Sequence, residues 1–419
     1  MDDLFKRANK YSMLEDDVRA AIQQVMVAGQ AARGGADRHA KPPDRPKPVD
    51  RRQEGPSGLD PSERIHPQET VAGDVPSTRI IQTKHGDIYD CVDFYKQPAF
   101  DHPLLKNHNF HPQYMRPTSP PRRVSPEKEV PKPDYKHVKI GLEGGGCPMG
   151  TVPIRRTTKD DLIRAKLYSE MHASKINPLT DEEPGKHFAV ARTFENIDYD
   201  GVGAMLSVWN LPVQAPQYTL GRVKIKNGAE SLEAGWTVSG QKILLVNPVL
   251  YGGDNRTRMY IYTNAGQAHC FNTQCGYIQA SIDIPVDMFS NQFQDMDTIN
   301  LNWYLKYDDN RTVIGWWPSR IFTNLGSTAT GAEWGGEVFS PPNVPSPGMG
   351  SGHRIKLDTN YDAFFAQANI VVNNTIIKPR KDLKLFTDSF NFDITNKGDV
   401  GGEPGYLILY GGVSGAIGN

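Results

Sequence analysis

The chain has 419 residues, room for two or three domains. Its 47 Lys+Arg against 48 Asp+Glu cancel, so the overall charge gives no pull toward nucleic acid or an anionic membrane. Hydrophobic residues make up 38%, below a typical globular chain, and no run of about 18 apolar residues occurs, so no transmembrane helix is expected.

The N-terminus, MDDLFKRANKYSM, has no apolar core of the kind a secretory signal needs. Residues 2–30 read as a helix. Leu4, Phe5, Ala8 and Tyr11, then Leu14, Val18, Ala21, Ile22, Val25 and Met26 recur at helical spacing, and Ser12 with Glu15 fits a capping box. Gly34-Gly35 stop it. The following charged, Pro-rich stretch cannot bury enough apolar surface to offset its ordering entropy, so disorder is expected through residue 78.

Residues 79–182 form a second zone. It opens with strand-like alternation in TRIIQTKHGDIYDCVDFYKQPAFDHPLLKNH, crosses a Pro-rich linker at 116–134, and reaches CPMGTVPIRRTTKDDLIRAKLY. Thr157 or Thr158 is placed to cap a helix starting at Lys159–Asp161, where acidic residues suit the first turn.

The third zone, 186–419, holds all six Trp. Short alternating runs repeat there: YTLGRVKIKNG, LEAGWTVSG, RMYIYTNAG, YIQASIDIPV, INLNWYLKYDD, TVIGWWPSRIF, HRIKLDT, ANIVVNN and GYLILYGG. Turn signals such as YDDNR and TNAGQ separate them, so an all-β sandwich is predicted. Two of the strand-like stretches, SLEAGWTV and WGGEVFS, each place one Glu among Gly and Trp: Glu233 and Glu337. Four cysteines, Cys91, Cys147, Cys270 and Cys275, lack zinc-site spacing; they fit two disulfides or four free thiols.

Several motifs carry a family likeness. DCVDFYKQPAFDHPLLKNH and CPMGTVPIRR resemble the activation peptide of the plant neprosin family. LEAGWTV, GGDNRTRMYIY, HCFNTQCGYIQ, IGWWPSRIF, WGGEVFS and MGSGH resemble its catalytic domain, in the same order, so the likeness spans about 79–419. The resemblance implies a secreted glutamic peptidase that cuts after proline in acid and is made with an N-terminal prodomain. It implies a bent antiparallel β-sandwich for 186–419, preceded by a small mixed prodomain at 79–182. It implies the pairs Cys91–Cys147 and Cys270–Cys275, proline-rich protein or peptide substrates, the chain's own prodomain as a partner, and no metal or organic cofactor. Residues 1–78 resemble part of a retrotransposon gag-like polyprotein, through LFKRANKYSMLEDDVRAAIQQVMVAGQAA, and are assigned no chemistry.

The likeness maps the two catalytic carboxylates onto Glu233 and Glu337. Chemistry agrees with that pairing. Amide hydrolysis needs an activated water and a proton for the leaving nitrogen, and two close carboxyls share one proton because both cannot ionise together. Gly235, Gly335 and Gly336 would let backbone approach substrate, and Trp236 and Trp334 would wall the cleft against a proline ring. Tyr218, Asp254, Asn255, Arg256 and His353 are weaker site candidates in family-like stretches. Asn255, Asn310 and Asn373 head glycosylation sequons.

Three departures stand out. No secretory signal precedes the prodomain. Asn391 occupies a position where the family has a cysteine, and WGGE replaces the family's commoner FGGE. Latency would come from the prodomain covering the cleft, with acid protonating carboxylates at the contact, and DEEPGKHF offers Pro184–Gly185 as a self-cleavage point. The rival readings are a non-catalytic sandwich binding cell-wall glycan or proline-rich protein, and a glycoside hydrolase with two carboxylates.

Overall fold

The alternation in TRIIQTKHGDIYDCVD closes into a hairpin of β1 (Ser77–Gln82) and β2 (Ile88–Asp93), with Gly86 taking φ 88° in its turn. That conformation favours glycine, which lacks the Cβ that would clash. β3 (Thr151–Arg155) pairs along the other side of β2, completing a three-stranded antiparallel sheet. The Cys91–Cys147 disulfide fastens β2 to the segment leading into β3. The computed structural model describes residues 77–107, 122–123, 141–142, 144–173, 185–194, 197–240, 251, 255–266, 268–288, 293–294, 296–298, 302–307, 312–341 and 343–416. The helix expected over 2–30, nearly all of the first 78 residues, and most of the linker at 116–134 lie outside them.

One long helix, α1 (Lys159–Ala173), follows β3. Thr158 caps it: its Oγ1 accepts from Asp161 N at 3.1 Å, while Asp161 Oδ2 accepts from Thr158 N at 2.9 Å. This reciprocal box satisfies two otherwise unpaired donors at the helix start.

The other long strands are, in chain order, β4 (Lys186–Arg192), β5 (Gly201–Leu206), β6 (Tyr218–Asn227), β7 (Glu230–Ser239), β8 (Arg258–Ala265), β9 (Ala268–Phe271), β10 (Asn302–Tyr307), β11 (Thr312–Pro318), β12 (Gly331–Phe339), β13 (Ala363–Val372), β14 (Lys384–Thr387), β15 (Phe392–Asp399) and β16 (Tyr406–Gly412). The first sheet runs β9-β8-β7-β6-β12-β4-β14, antiparallel throughout. The second is built on β5, β13, β16 and β15, also antiparallel. A smaller sheet joins β10 and β11.

The fold is an antiparallel β-sandwich. On β7, Leu232, Ala234, Trp236 and Val238 point to the core; on β12, Ala332, Trp334 and Val338 do the same. They meet Val202, Ala204, Phe365 and Tyr410 of the second sheet. Trp236 Nε1 donates to Ser207 O at 2.9 Å and Trp334 Nε1 to Gly203 O at 3.2 Å, so each indole is tied to the chain at or beside β5.

Two local expectations change. HRIKLDT, read as a strand, is a loop. The buried Asp362 carboxylate accepts from Lys356 N and Asp358 N, each at 2.9 Å, so these donors are satisfied without a neighbouring strand. Only Ile278–Gln279 of YIQASIDIPV is strand. At the C-terminus, Asn391, which the resemblance sets against a cysteine, is buried; its Nδ2 donates to Ala416 O at 3.1 Å and its O accepts from Val413 N at 3.2 Å. Hydrogen bonds close this corner.

Candidate active site

Side chains alternate faces along a strand, so residues an even number apart share one. On the outer face of the first sheet, β7 presents Glu233, β12 presents Glu333 and Glu337, and β6, between them, presents Tyr218, Leu220, Arg222 and Lys224. Lys224 lies opposite Glu233 on one side and Glu333 on the other. Arg222 lies opposite Gly235 and Gly335.

Glu233 and Glu337 are buried and share a set of partners. Arg222 Nε lies 3.3 Å from Glu233 Oε2, and Arg222 Nη2 lies 3.5 Å from Glu337 Oε2. Lys224 Nζ lies 2.9 Å from Glu233 Oε1. Tyr218 donates its hydroxyl proton to Glu337 Oε1 at 2.5 Å, and Tyr260 donates to Glu233 Oε2 at 3.5 Å.

The partner absent from the sequence reading is His172, on the last turn of α1. Its Nε2 is 3.3 Å from Glu233 Oε2 and its Nδ1 is 3.3 Å from Glu337 Oε1. One imidazole thus bridges both carboxylates. Lys186 Nζ donates to the His172 carbonyl at 2.5 Å. The helix lies over the site, with Ala165 and Tyr168 packed among Tyr218, Leu220, Tyr251, Tyr260, Tyr262 and Phe271. The His172 ring meets Tyr262 at 4.4 Å between centroids and Phe271 at 5.3 Å.

Electrostatics follow from this packing. Burial disfavours ionised Glu233, but Arg222, Lys224 and His172 outweigh it and hold the carboxyl well below its usual range. Burial is likewise overcome at Glu337, first by His172, then by Lys186 and Arg222. For His172, burial opposes the charge, yet Glu337 and Glu233 raise its pKa above the ordinary imidazole value. The two carboxylates flank one imidazole and favour its charged form.

The other candidates divide. Trp236 and Trp334 do not wall the cleft. Each is three positions from its Glu, an odd spacing, and both are fully buried in the sandwich core. Gly336 also faces the core, where an added Cβ would lie 2.7 Å from Met349. Gly235 and Gly335 face the site, but their bareness serves neighbouring strands: a Cβ would fall 2.0 Å from Gly221 O and 2.2 Å from Ala189 O respectively. His353 is exposed in a loop. Arg256 donates to His85 O at 2.8 Å, and Asp254 lies outside the described residues. Of the sequons, Asn373 is exposed; Thr257, the hydroxyl residue after Asn255, is buried and donates to Trp209 O at 2.9 Å; Asn310 lies outside the described residues. All four cysteines are paired, Cys91 with Cys147 and Cys270 with Cys275.

The region before β4 is fastened at several further points. Asp87 accepts from Arg258 Nη1 and Nη2, both at 2.9 Å, in a buried bidentate pair. Gln97 exchanges hydrogen bonds with the backbone of Gln279 at 2.8 and 3.2 Å. Cys147 N donates to Ile282 O and Leu142 N to Asp283 O, each at 2.7 Å.

Comparison with known proteins adds two family matches and a set of solved structures. Residues 215–413 match the family described as Neprosin, and residues 80–192 match the Neprosin activation peptide. The second match ends with β4, which is an interior strand of the first sheet. A structure of scytalido-glutamic peptidase with a peptide-based transition-state analogue is similar at 9% identity, covering 55% of this chain and 99% of that one, with a TM-score of 0.31. A second, with a transition-state analogue inhibitor, is similar at 10% identity, covering 54% and 98%, with a TM-score of 0.32. SCP-B, a member of the eqolisin family of peptidases in complex with the tripeptide Ala-Ile-His, is similar at 9% identity, covering 55% and 99%, with a TM-score of 0.29.

Proposed function

The chain belongs to the neprosin family, and from that premise we propose that it is a glutamic peptidase, made as a zymogen, that cuts proline-containing chains after proline in acid. The catalytic pair is Glu233 and Glu337. The observation that carries this reading is their placement on one sheet face, joined through Arg222 and bridged by a single imidazole from the activation-peptide region. That placement weighs against a non-catalytic binding role, for which two buried, convergent carboxylates would be a cost without a return.

The chemistry requires one proton on the pair. The ionised carboxylate takes a proton from water as it attacks the carbonyl carbon. The protonated partner donates to the carbonyl oxygen; as the C–N bond breaks, the carboxyl that took the proton from water passes it to the leaving nitrogen, and the partner recovers its own proton from the diol, which restores the pair. The neighbours divide these roles. Glu233 keeps Arg222 and Lys224 when α1 departs, and is the base. Glu337 loses His172, the strongest of the groups that hold it ionised, and becomes the acid. Tyr218, which donates to Glu337 in the zymogen, is positioned to turn toward the developing oxyanion.

Latency comes from α1 lying across the site. The His172 imidazole, a five-membered ring bordered by Tyr262 and Phe271, fills the volume where a proline ring would sit beside the carboxylates. These aromatic faces, rather than the two tryptophans, are the proline seat in this reading. Maturation cuts Pro184–Gly185, immediately before β4.

The test is cleavage of a quenched proline-containing peptide by acid-processed protein, set against Glu233→Gln and Glu337→Gln. Each variant is expected to lose about 10²–10⁴-fold in rate. Cleavage that survives both substitutions would sink the assignment, and N-terminal sequencing that places the processing cut away from 178–190 would sink the maturation site.

A further inference from the structure

A third buried carboxylate, Glu333, lies on the same face as the pair, four residues before Glu337 on β12. We infer that Glu333 is a positioning residue: through Arg222 and Lys224 it sets the pH at which the Glu233–Glu337 pair takes up its working proton. The inference rests on the peptidase reading above.

The geometry is a fork with three prongs. Arg222 Nη1 donates to Glu333 Oε2 at 3.3 Å, Nε lies 3.3 Å from Glu233, and Nη2 lies 3.5 Å from Glu337. Each nitrogen of the guanidinium therefore addresses a different carboxylate. Gly235 and Gly335 lie opposite Arg222 in register, one on each side. One row away, Lys224 is flanked in register by Glu233 and Glu333. Both cations are thus shared between the pair and the third carboxylate.

Sharing matters because of the charge balance. Glu333 is faced by Arg222, Lys224 and Lys226 from β6 and by Arg192 from β4, whose Nε is 3.2 Å away. Glu233 is faced by Arg222 and Lys224 from β6, Tyr260 from β8 and His172 from α1. Glu337 is faced by Tyr218 and Arg222 from β6, Lys186 from β4 and His172 from α1. Once α1 departs, Arg222, Lys224 and Lys186 remain around two carboxylates that must share a proton. With Glu333 neutral, the full field of Arg222 and Lys224 would fall on the pair and keep both members ionised to lower pH. Glu333 draws part of that field away. It has no contact with His172 or Tyr218 among the described residues, so it sits outside the reacting pair itself.

The test uses the processed enzyme and two variants of opposite sign. Glu333→Gln keeps an acceptor for Arg222 but removes the charge; Lys224→Met removes a cation and keeps an apolar stem. The neutral limb of the pH–kcat/KM profile should move down by about one unit in Glu333→Gln and up by about one unit in Lys224→Met. Titration of the pair by NMR, with ¹³C-carboxyl glutamate, should move in the same two directions. If both variants lose activity evenly across pH while the titration stays at its wild-type position, Glu333 is merely structural and the inference falls. Shifts of the same sign in both variants would also overturn it. If the wild-type enzyme cleaves no peptide, the functional reading fails, and the NMR titration alone still decides this inference.

Discussion

His172 and Glu233 are 61 residues apart in the chain, yet the imidazole Nε2 of one lies 3.3 Å from the carboxylate of the other. The same ring reaches Glu337 at the same distance. In the proposed zymogen, a charge placed between the two candidate catalytic carboxylates would hold the site closed.

Replacing His172 should therefore release the site. His172→Ala leaves two buried carboxylates without the cation that bridges them, a loss of about 3–5 kcal/mol from the docked state. The variant is expected to process itself faster than the parent chain in acid, and to begin at a less acid pH. Electrophoresis of the two proteins after matched incubation reads the outcome; equal latency would remove His172 from the mechanism.

The pH dependence of the plug has two limbs. His172 has a raised pKa when docked, so its contribution is complete below its ordinary value of about 6.5 and fades as pH rises through the raised one. Glu233 and Glu337 have lowered pKa values when docked, so theirs is complete above about 4.3 and fades as pH falls through the lowered ones. The helix is held most firmly between these values. Acid release then demands a pH below the usual carboxylate range, more acid than simple protonation of an exposed contact would need. Hydrogen exchange of the α1 amides across pH should show greatest protection in that middle window.

The Asp87–Arg258 pair offers a way to loosen the prodomain without touching the pair. Asp87→Asn strips a buried guanidinium of its bidentate partner, at a cost of about 3–5 kcal/mol. Processing in acid should become faster, while the processed enzyme, which no longer carries residue 87, should keep its wild-type kcat. A slower or unchanged processing rate would show that this clamp does not limit release.

Trp236 and Trp334 separate stability from specificity. Trp236→Ala opens a cavity in the sandwich core and should cost about 3–5 kcal/mol in urea denaturation. KM for a proline peptide should hold once the protein is kept below its unfolding midpoint. A selective rise in KM with unchanged stability would restore the tryptophan to the cleft.

Much of this was legible from strand parity and turn chemistry. Glu233 and Glu337 stood out as lone carboxylates in strand-like runs, and the cap of α1 was narrowed to Thr157 or Thr158, of which Thr158 serves. The sandwich followed from short alternating runs. Parity also held information that family likeness obscured: Trp236 and Trp334 are an odd number of residues from their glutamates, which already turns them away. Arg222 and Glu333 could have been found by the same count, but only once β6 was known to lie between β7 and β12, and strand order is not written in local periodicity. His172 had no local signal. It ends an ordinary helix, and its role exists only because the chain folds back across the sheet.

β4 begins at Lys186, directly after the proposed cut, and pairs with β12 on one edge and β14 on the other. With that cut, the opening residues of the mature enzyme would be an interior plank of the sheet that carries Glu337. A cut displaced a few residues toward the C-terminus would pull that plank out and leave β12 with a bare edge. Toward the N-terminus the sheet sets no such limit, because β4 is its first strand in chain order. Tolerance to misplaced processing is one-sided: a ragged extension can be trimmed later, while an overshoot cannot be repaired.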